Sequence, residues 1–394
     1  MGILLDKLSS EINTNSPLII AGPCSAESQQ QLLLTAHALK EIGIKIFRAG
    51  IWKPRTRPNS FEGVGNIGLE WLRNVKSETN MKIMTEVANP NHLDKVLEND
   101  VDMIWIGART SGNPFAVQEI ANALKGVEIP VFVKNPLNED LNLWIGAIER
   151  FHNSDIKQIS AIHRGFFAYG SQKYRNIPQW QIPVELKRIM PSIPLICDPS
   201  HIAGHRSLVQ EVSQTAFDLN FDGLMVESHA NPNDALSDKD QQLSASELKK
   251  LLSNLVLRKN TISDDDVALS LKDLRSQIDS LDLNLIDILV KRMIIAQKIG
   301  LKKKDNGITI LQPERWEYIL KDRVLNGKQG GLSNEFLILL LRAIHQESIN
   351  IQTNNEDEDY PEYYEKLYEN LKESLEKYHW DEENNIYSEL DLLN

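Results

Sequence analysis

GLMVESHA, Gly223–Ala230, is the last of eight short apolar runs, and its place in that series decides the fold. Going back toward the N-terminus, the others are PLICDPSH (194–201), QISAIHRG (158–165), PVFVKN (130–135), MIWIGART (103–110), KIMTEV (82–87), IKIFRAG (44–50) and PLIIAGPCS (17–25). Their cores are continuous apolar, β-branched stretches rather than alternating ones, the mark of a strand buried on both faces. Between them lie segments with helical period, such as QQLLLTAHALKEIG (30–43) and NPFAVQEIANALKG (113–126). Eight such strands alternating with helices describe an α/β fold, a (β/α)8 TIM barrel over residues 1–257. An open doubly wound sheet is the competing layout, and the number eight favours closure.

The pattern changes at LRKNTISDDDVA (257–268), which turns polar and acidic. Residues 258–266 read as a linker. Beyond it, Leu271, Leu274, Ile278, Leu281, Leu285, Leu289 and Met293 recur at the spacing of a long amphipathic helix. Further helices are expected over 313–325 and 333–352, with Gly330-Gly331 between them, making 267–354 an all-α domain. The tail, 355–394, carries Tyr364, Tyr368, Leu371, Leu375 and Tyr378 at alternating spacings of four and three. It reads either as one more docked helix or as a solvating acidic tail.

The formal net charge of −12 is local: between Gln352 and Asn394 there are fourteen acidic residues against three lysines. The rest of the chain is close to neutral, so charge gives no support for nucleic-acid binding. No apolar run approaches the ~20 residues that span a bilayer. The N-terminus MGILLDKLSS lacks the basic and apolar regions of a signal peptide, and Asp6 stands where a myristoylation motif wants Ser or Thr. Two cysteines, Cys24 and Cys197, argue against a disulfide framework and fit a cytoplasmic setting.

In a barrel of this kind chemistry sits where strands hand over to the following loops. That rim is polar here: Cys24, Arg48, Arg109, Lys134, His163, Arg164, Asp198, His201, Glu227 and His229 all fall at or just past strand ends. Lys and Arg are rarely buried unpaired, so a ring of them is an anion clamp, and their number suggests two anions. The loop IWKPRTRPNSFEG (51–63) sets Lys53, Arg55 and Arg57 within five residues, and Pro54 and Pro58 stiffen it. Lys53, Arg55 and Thr56 suit a phosphate, because the guanidinium fork matches phosphate oxygens.

Cys24, His201, Glu227 and Asp238 offer one soft, one imidazole and two hard ligands, a set that suits a divalent transition metal better than magnesium. Alone, Cys24 reads as a small buried thiol and Glu227 as a salt-bridge partner. The four together point to a metal. A metal beside two phosphate-bearing substrates suggests Lewis-acid activation of a carbonyl.

Taken together these stretches resemble the type I 3-deoxy-D-arabino-heptulosonate 7-phosphate (DAHP) synthase family. AGPCSAES, KPRTRPNSFEG, IGART, VKN, HRG, DPSH, VESH and ALSDKDQQL occur in that family's order over residues 16–250. The resemblance implies condensation of phosphoenolpyruvate with erythrose 4-phosphate, using a divalent metal ion (Mn, Fe, Co or Zn) on Cys24, His201, Glu227 and Asp238. It implies that Arg48, Arg109, Lys134 and Arg164 hold phosphoenolpyruvate. Lys53, Pro54, Arg55 and Thr56 would hold the aldose, with Lys53 near the reacting centre. The sister KDO 8-phosphate synthases resemble KANRSS rather than KPRT at the second loop, which makes them the less favoured alternative.

Residues 274–352 resemble an AroQ-type chorismate mutase, on LRSQIDSLDLNLIDILVKRM, IGLKKK, ILQPERW and HQESINIQ. The implied chorismate or prephenate pocket falls on Arg275, Arg292, Lys303, Arg315, Ser348 and Gln352, with Lys303 and Gln352 at the ether oxygen. Arg275 would serve the pocket of a partner in a homodimer built through this domain. Gln312 stands where Asp is common, and Trp316 where a Glu would contact the substrate hydroxyl. The alternatives are a bifunctional enzyme whose mutase domain also senses prephenate, a synthase whose helical domain only binds a regulatory ligand, or a dimerisation scaffold alone, which would not need cations at the pocket positions.

Overall fold

The structure, a computed structural model, describes residues 17–53, 61–170, 173–258, 265–353, 380–381 and 386–387. Pro54, Arg55, Thr56, residues 259–264 of the expected linker, and the Tyr/Leu stripe of the tail lie outside the described residues. The chain divides into two compact units, Met1–Arg258 and Lys259–Asn394.

The first unit is the expected barrel. Its strands are β1 (Leu18–Gly22), β2 (Ile46–Arg48), β3 (Lys82–Val87), β4 (Met103–Ile106), β5 (Val131–Lys134) and β6 (Ile159–His163). A hairpin, β7 (Phe166–Phe167) with β8 (Asn176–Ile177), precedes β9 (Leu195–Cys197) and β10 (Gly223–Glu227). The parallel sheet closes in the order β1-β10-β9-β6-β5-β4-β3-β2. Closure is made by β1 against β10, Leu18 opposite Gly223 through Gly22 opposite Glu227. A Cβ on Gly223 would meet the Leu18 carbonyl oxygen at 2.3 Å, so this seam needs a glycine.

Helices α1 (Gln29–Glu41), α2 (Ile67–Thr79), α3 (Pro90–Glu98), α4 (Ala108–Ser111) and α5 (Pro114–Ala123) belong to the first half of the barrel. The second half carries α6 (Leu141–His152), α7 (Gln181–Ile189), α8 (Pro199–Ala203), α9 (Val209–Asp218) and α10 (Ala245–Asn254). Several open on strong local signals. Asn89 and Asn113 cap α3 and α5, each followed by a proline, and Ser244 with Glu247 forms a capping box on α10.

Strand alternation sorts the core into two layers. Ile20, Ile46, Met84, Trp105, Phe132, Ile162, Ile196 and Met225 belong to a cluster of their own inside the barrel. Ala21, Phe47, Ile83, Ile104, Val131, Ala161, Leu195 and Leu224 face the helices. Two residues beyond each inner apolar residue the chain reads Gly22, Arg48, Glu86, Gly107, Lys134, Arg164, Asp198 and Glu227. The inner wall therefore changes within one pleat from hydrocarbon to charge, and that ring is the floor of the barrel mouth.

The second unit is helical: α11 (Asp265–Asp305), α12 (Pro313–Gln329) and α13 (Asn334–Thr353). At 41 residues α11 runs about 60 Å. It begins inside the segment read as linker, where an acidic residue such as Asp266 suits a first helical turn. Gly327 lets α12 and α13 approach, since a Cβ there would meet Leu337 Cδ2 at 2.5 Å. Leu274, Ile278, Leu281, Leu285 and Ile288 leave an apolar stripe of α11 exposed. Two further short strands, β11 (Trp380–Asp381) and β12 (Ile386–Tyr387), pair antiparallel. Among the described residues no helix is long and apolar enough to cross a membrane.

Candidate active site

A cavity of about 520 Å³ opens at the barrel mouth, lined among others by Cys24, Lys53, Arg109, Lys134, Arg164, His201 and Asp238. Seven of the residues read as barrel ligands thus meet at one space. Arg48 and Glu227 are fully buried and paired with each other, Nη1 to Oε1 at 3.3 Å. The Arg48 Nη2 also donates to the Cys24 carbonyl at 3.1 Å, and its guanidinium lies 4.7 Å over the ring of Trp105. Lys134 Nζ sits 5.9 Å from the same ring and 2.6 Å from Asp198. The indole N–H of Trp105 donates to Glu86 at 3.1 Å. One buried tryptophan therefore carries two cations on its face and a carboxylate on its edge.

One wall of the cavity is a donor cluster. Ligand atoms of Cys24, Glu227 and Asp238 lie within 4.8 Å of one another, a group able to hold a metal ion. The Nε2 of His201 stands 3.7 Å from Glu227 and 3.9 Å from Asp238. Its Nδ1 is turned to Asp198 at 3.0 Å, an arrangement that orients an imidazole for ligation. Asp198 is fixed from three sides, because it also caps α8 by accepting from the His201 backbone N–H at 3.1 Å. Burial opposes its charge, yet His201 and Lys134 hold its pKa well below the carboxylate range. Asp238 is likewise depressed: burial opposes its charge, but His201 and Arg175 outweigh it. Its backbone is left-handed, φ 51°, a conformation that is costly outside glycine and recurs at functional sites.

Burial, then the Glu227 charge, pushes the Cys24 thiol up to about 12, and Lys53, with its Nζ 3.2 Å from the sulfur, offsets this only in part. A thiol, an imidazole and two carboxylates crowded together, with the thiol held protonated by burial and by its neighbours' charge, are donors that a divalent cation would satisfy. The residues fit the metal that the sequence points to.

The same cavity is lined by cations, and several of them touch the cluster. Burial pushes Arg164 down to about 10; Asp198 works against that, while Arg175 and Arg109 add repulsion. Its Nη1 donates to Asn176 Oδ1 at 2.7 Å. Arg175 joins cations to cluster by donating to Asp238 at 3.0 Å and to Gln241 at 2.7 Å. A cleft that gathers Lys53, Arg109, Lys134, Arg164 and Arg175 has the charge to receive an anionic substrate.

Glu86, Arg175 and Asn176 line or brace the site and are absent from the sequence reading. Glu86 carried a usable signal, two residues past the inward Met84. Arg175 and Asn176 arrive through the β7–β8 hairpin. His163 goes the other way: although at a strand end, it packs outside the barrel mouth on Trp144, Phe166, Trp180 and Phe221 at ring distances of 6.3, 5.7, 5.4 and 6.1 Å. His229 is also buried off the cavity, 3.5 Å from Glu27.

In the helical unit, Arg292 on α11 donates to the Ser348 hydroxyl on α13. Gln352 stacks one turn further, its amide donating to the Ser348 carbonyl at 3.0 Å. Lys303 Nζ donates to the Ile310 carbonyl, and Arg315 lies 5.4 Å over the ring of Tyr318. Trp316 stacks on His345, centroids 3.9 Å apart. Gln312 is the N-cap residue of α12 and makes no side-chain capping bond. Arg275 is on α11 seventeen residues before Arg292, about 25 Å along the axis.

Barrel and site together define a class of enzyme with a cationic cleft beside a cluster able to hold a metal ion. The chain belongs to the DAHP synthetase I family, whose sequence profile matches residues 9–262. Residues 274–353 match the chorismate mutase type II family. A phospho-2-dehydro-3-deoxyheptonate aldolase of Thermotoga maritima is 35% identical over 237 residues, 60% of this chain and 68% of its own. The crystal structure of DAHP synthase from the same organism superposes with a TM-score of 0.55 at 35% identity, covering 60% of this chain and 67% of that one. A 2-dehydro-3-deoxyphosphooctonate aldolase of Francisella tularensis is more distant, 27% identical over 266 residues, 62% of this chain and 92% of its own. The chain thus joins a transferase, a DAHP synthase condensing phosphoenolpyruvate with erythrose 4-phosphate, to an isomerase domain of the chorismate mutase kind.

Proposed function

We propose that the cavity at the barrel mouth is the synthase site, with the roles divided between its donor cluster and its cations. Cys24, His201, Glu227 and Asp238 hold one divalent ion (Mn, Fe, Co or Zn), which when bound supplies Lewis-acid polarisation of the aldehyde carbonyl. Arg48, Arg109, Lys134 and Arg164 hold the phosphate and carboxylate of phosphoenolpyruvate. Lys53, with Pro54, Arg55 and Thr56 of its loop, holds erythrose 4-phosphate. The observation that carries this reading is the meeting of a thiol–imidazole–carboxylate cluster and several arginines and lysines at one cavity.

The cations fix the alkene of phosphoenolpyruvate for attack by its methylene carbon on the aldehyde. Lys53, beside Cys24, supplies the proton that the aldehyde oxygen takes as the new bond forms. Water then adds at the neighbouring carbon, which had become cationic, and inorganic phosphate leaves with its charge held by the arginines.

In the helical unit, Arg275, Arg292, Lys303, Arg315, Ser348 and Gln352 form the chorismate and prephenate pocket, with Lys303 and Gln352 at the ether oxygen. Arg275 comes from a second copy, because it stands too far along α11 to reach the pocket of its own chain. The exposed stripe of α11 supports that homodimer. Prephenate bound there inhibits the synthase, a coupling that fits the fusion of an early and a later step of one route. A second reading, a helical unit that binds ligand without turning chorismate over, draws on the Trp316–His345 stack standing where a carboxylate would meet the substrate. Two free, buried cysteines suit work in the cytoplasm.

The deciding assay is phosphoenolpyruvate consumption with erythrose 4-phosphate, after thorough chelation, after return of Mn²⁺, and with and without prephenate. Loss and recovery with metal support the four-ligand site; activity indifferent to chelation overturns it. Synthesis unchanged by saturating prephenate ends the feedback reading, and chorismate turnover then separates mutase from silent binding.

A further inference from the structure

His345 has no role in the helical pocket proposed above. On α13 it lies three residues before Ser348 and seven before Gln352, so the three share one helix face. The ring of Trp316 from α12 covers it at 3.9 Å and 33°. The charges acting on the imidazole come from α11, Arg292 and Lys303, and both are cationic. The charged neighbours of Trp316 on α12 are Arg315, which sits over Tyr318, and Glu317, which is engaged by Lys321 at 2.6 Å. On α13 itself Arg342 lies one turn back.

We propose that His345 is a ligand-contacting residue of this pocket, and that it takes up one proton from solvent when a dicarboxylate binds, donating the new N–H to the ligand. The inference rests on the pocket assigned above and deepens it. In the free chain, burial first and then Arg292 and Lys303 hold the His345 pKa below its ordinary value. A dianion seated on those two cations cancels their repulsion and adds attraction. The imidazole then charges at neutral pH, and the site gains a donor where the Trp316 indole has replaced a carboxylate. Binding is thereby linked to protons: affinity falls as pH rises through neutrality, by at most about tenfold per pH unit for one proton.

The test is calorimetric titration of the full chain with prephenate at pH 7, in HEPES and in Tris, whose heats of ionisation differ. The inference expects binding enthalpies that diverge by the uptake of a large fraction of a proton per site. His345→Gln, folded by circular dichroism, is expected to bind more weakly with heats that coincide. Coincident heats for the wild-type chain overturn the inference while leaving the pocket intact. So does uptake that survives in H345Q. No binding of prephenate by the wild-type chain removes the pocket itself, and this inference with it.

Discussion

The ammonium of Lys53 lies 3.2 Å from the sulfur of Cys24, so the lysine that follows β2 touches the donor cluster directly. The two side chains have separable duties. Cys24→Ala is expected to lose bound metal, seen by elemental analysis, and with it at least about 100-fold in rate. Lys53→Met is expected to keep its metal and lose a similar factor in kcat, the general-acid share. A Lys53→Met enzyme that has shed its metal would move Lys53 from chemistry to site assembly.

Lys134 and Asp198 form a pair with almost no exposure, 6% and 0%. Removing only the cation leaves a buried carboxylate with His201 as its remaining counterpart. Lys134→Met is expected to destabilise the barrel by about 3 kcal/mol in urea unfolding and to raise KM for phosphoenolpyruvate more than tenfold. Wild-type KM would remove Lys134 from the substrate clamp.

His163 gives the barrel an acid liability. Burial pushes its pKa down to about 3 in the folded state. The unfolded chain binds that proton below about pH 6.5, so stability falls with falling pH between about 6.5 and 3, by about 1.4 kcal/mol per unit. His163→Phe fits the surrounding aromatic rings and removes the proton. Relative to its own offset at pH 7.5, the variant should recover about 2–3 kcal/mol at pH 4.5. Parallel stability–pH curves for the two proteins would refute this.

The α11 stripe tests assembly. Leu281 and Leu285 are 66% and 49% exposed, and Leu281→Glu with Leu285→Glu puts two charges where a second copy would pack. Sedimentation velocity should then find monomers, with loss of prephenate binding. A dimer that persists would locate the interface elsewhere.

Much of this molecule was legible because barrel strands are buried on both faces and leave unbroken apolar runs; all eight runs became barrel strands. The ends of those runs also pointed to the floor of the site, through Arg48, Lys134, Asp198 and Glu227. Glu86 obeyed the same rule and could have been read. The β7–β8 hairpin could not: FFAYGSQKYRNI has neither period, and its geometry depends on Gly165, φ 75°, where a Cβ would strike Asn176 at 2.9 Å. Nor does spacing alone reveal that Cys24 and Asp238, 214 residues apart, lie 3.4 Å from one another, since that follows from closure of β1 on β10. In the helical unit the apolar repeat marked α11 as far as Met293, while its polar end, through Lys302–Lys304, is helical without an apolar stripe to announce it.

The length of α11 has a genetic corollary. Arg275 and Arg292 sit on one helix about 25 Å apart, so in the dimer proposed above each pocket is written partly in one polypeptide and partly in the other. Two crippled alleles, Arg275→Ala and Arg292→Ala, are then not equivalent when expressed together. In a mixed dimer both defects fall in the same pocket and the other is left whole. Co-expression would return about half of the pockets in such hybrids, an intragenic complementation that a pocket contained in one chain could never display.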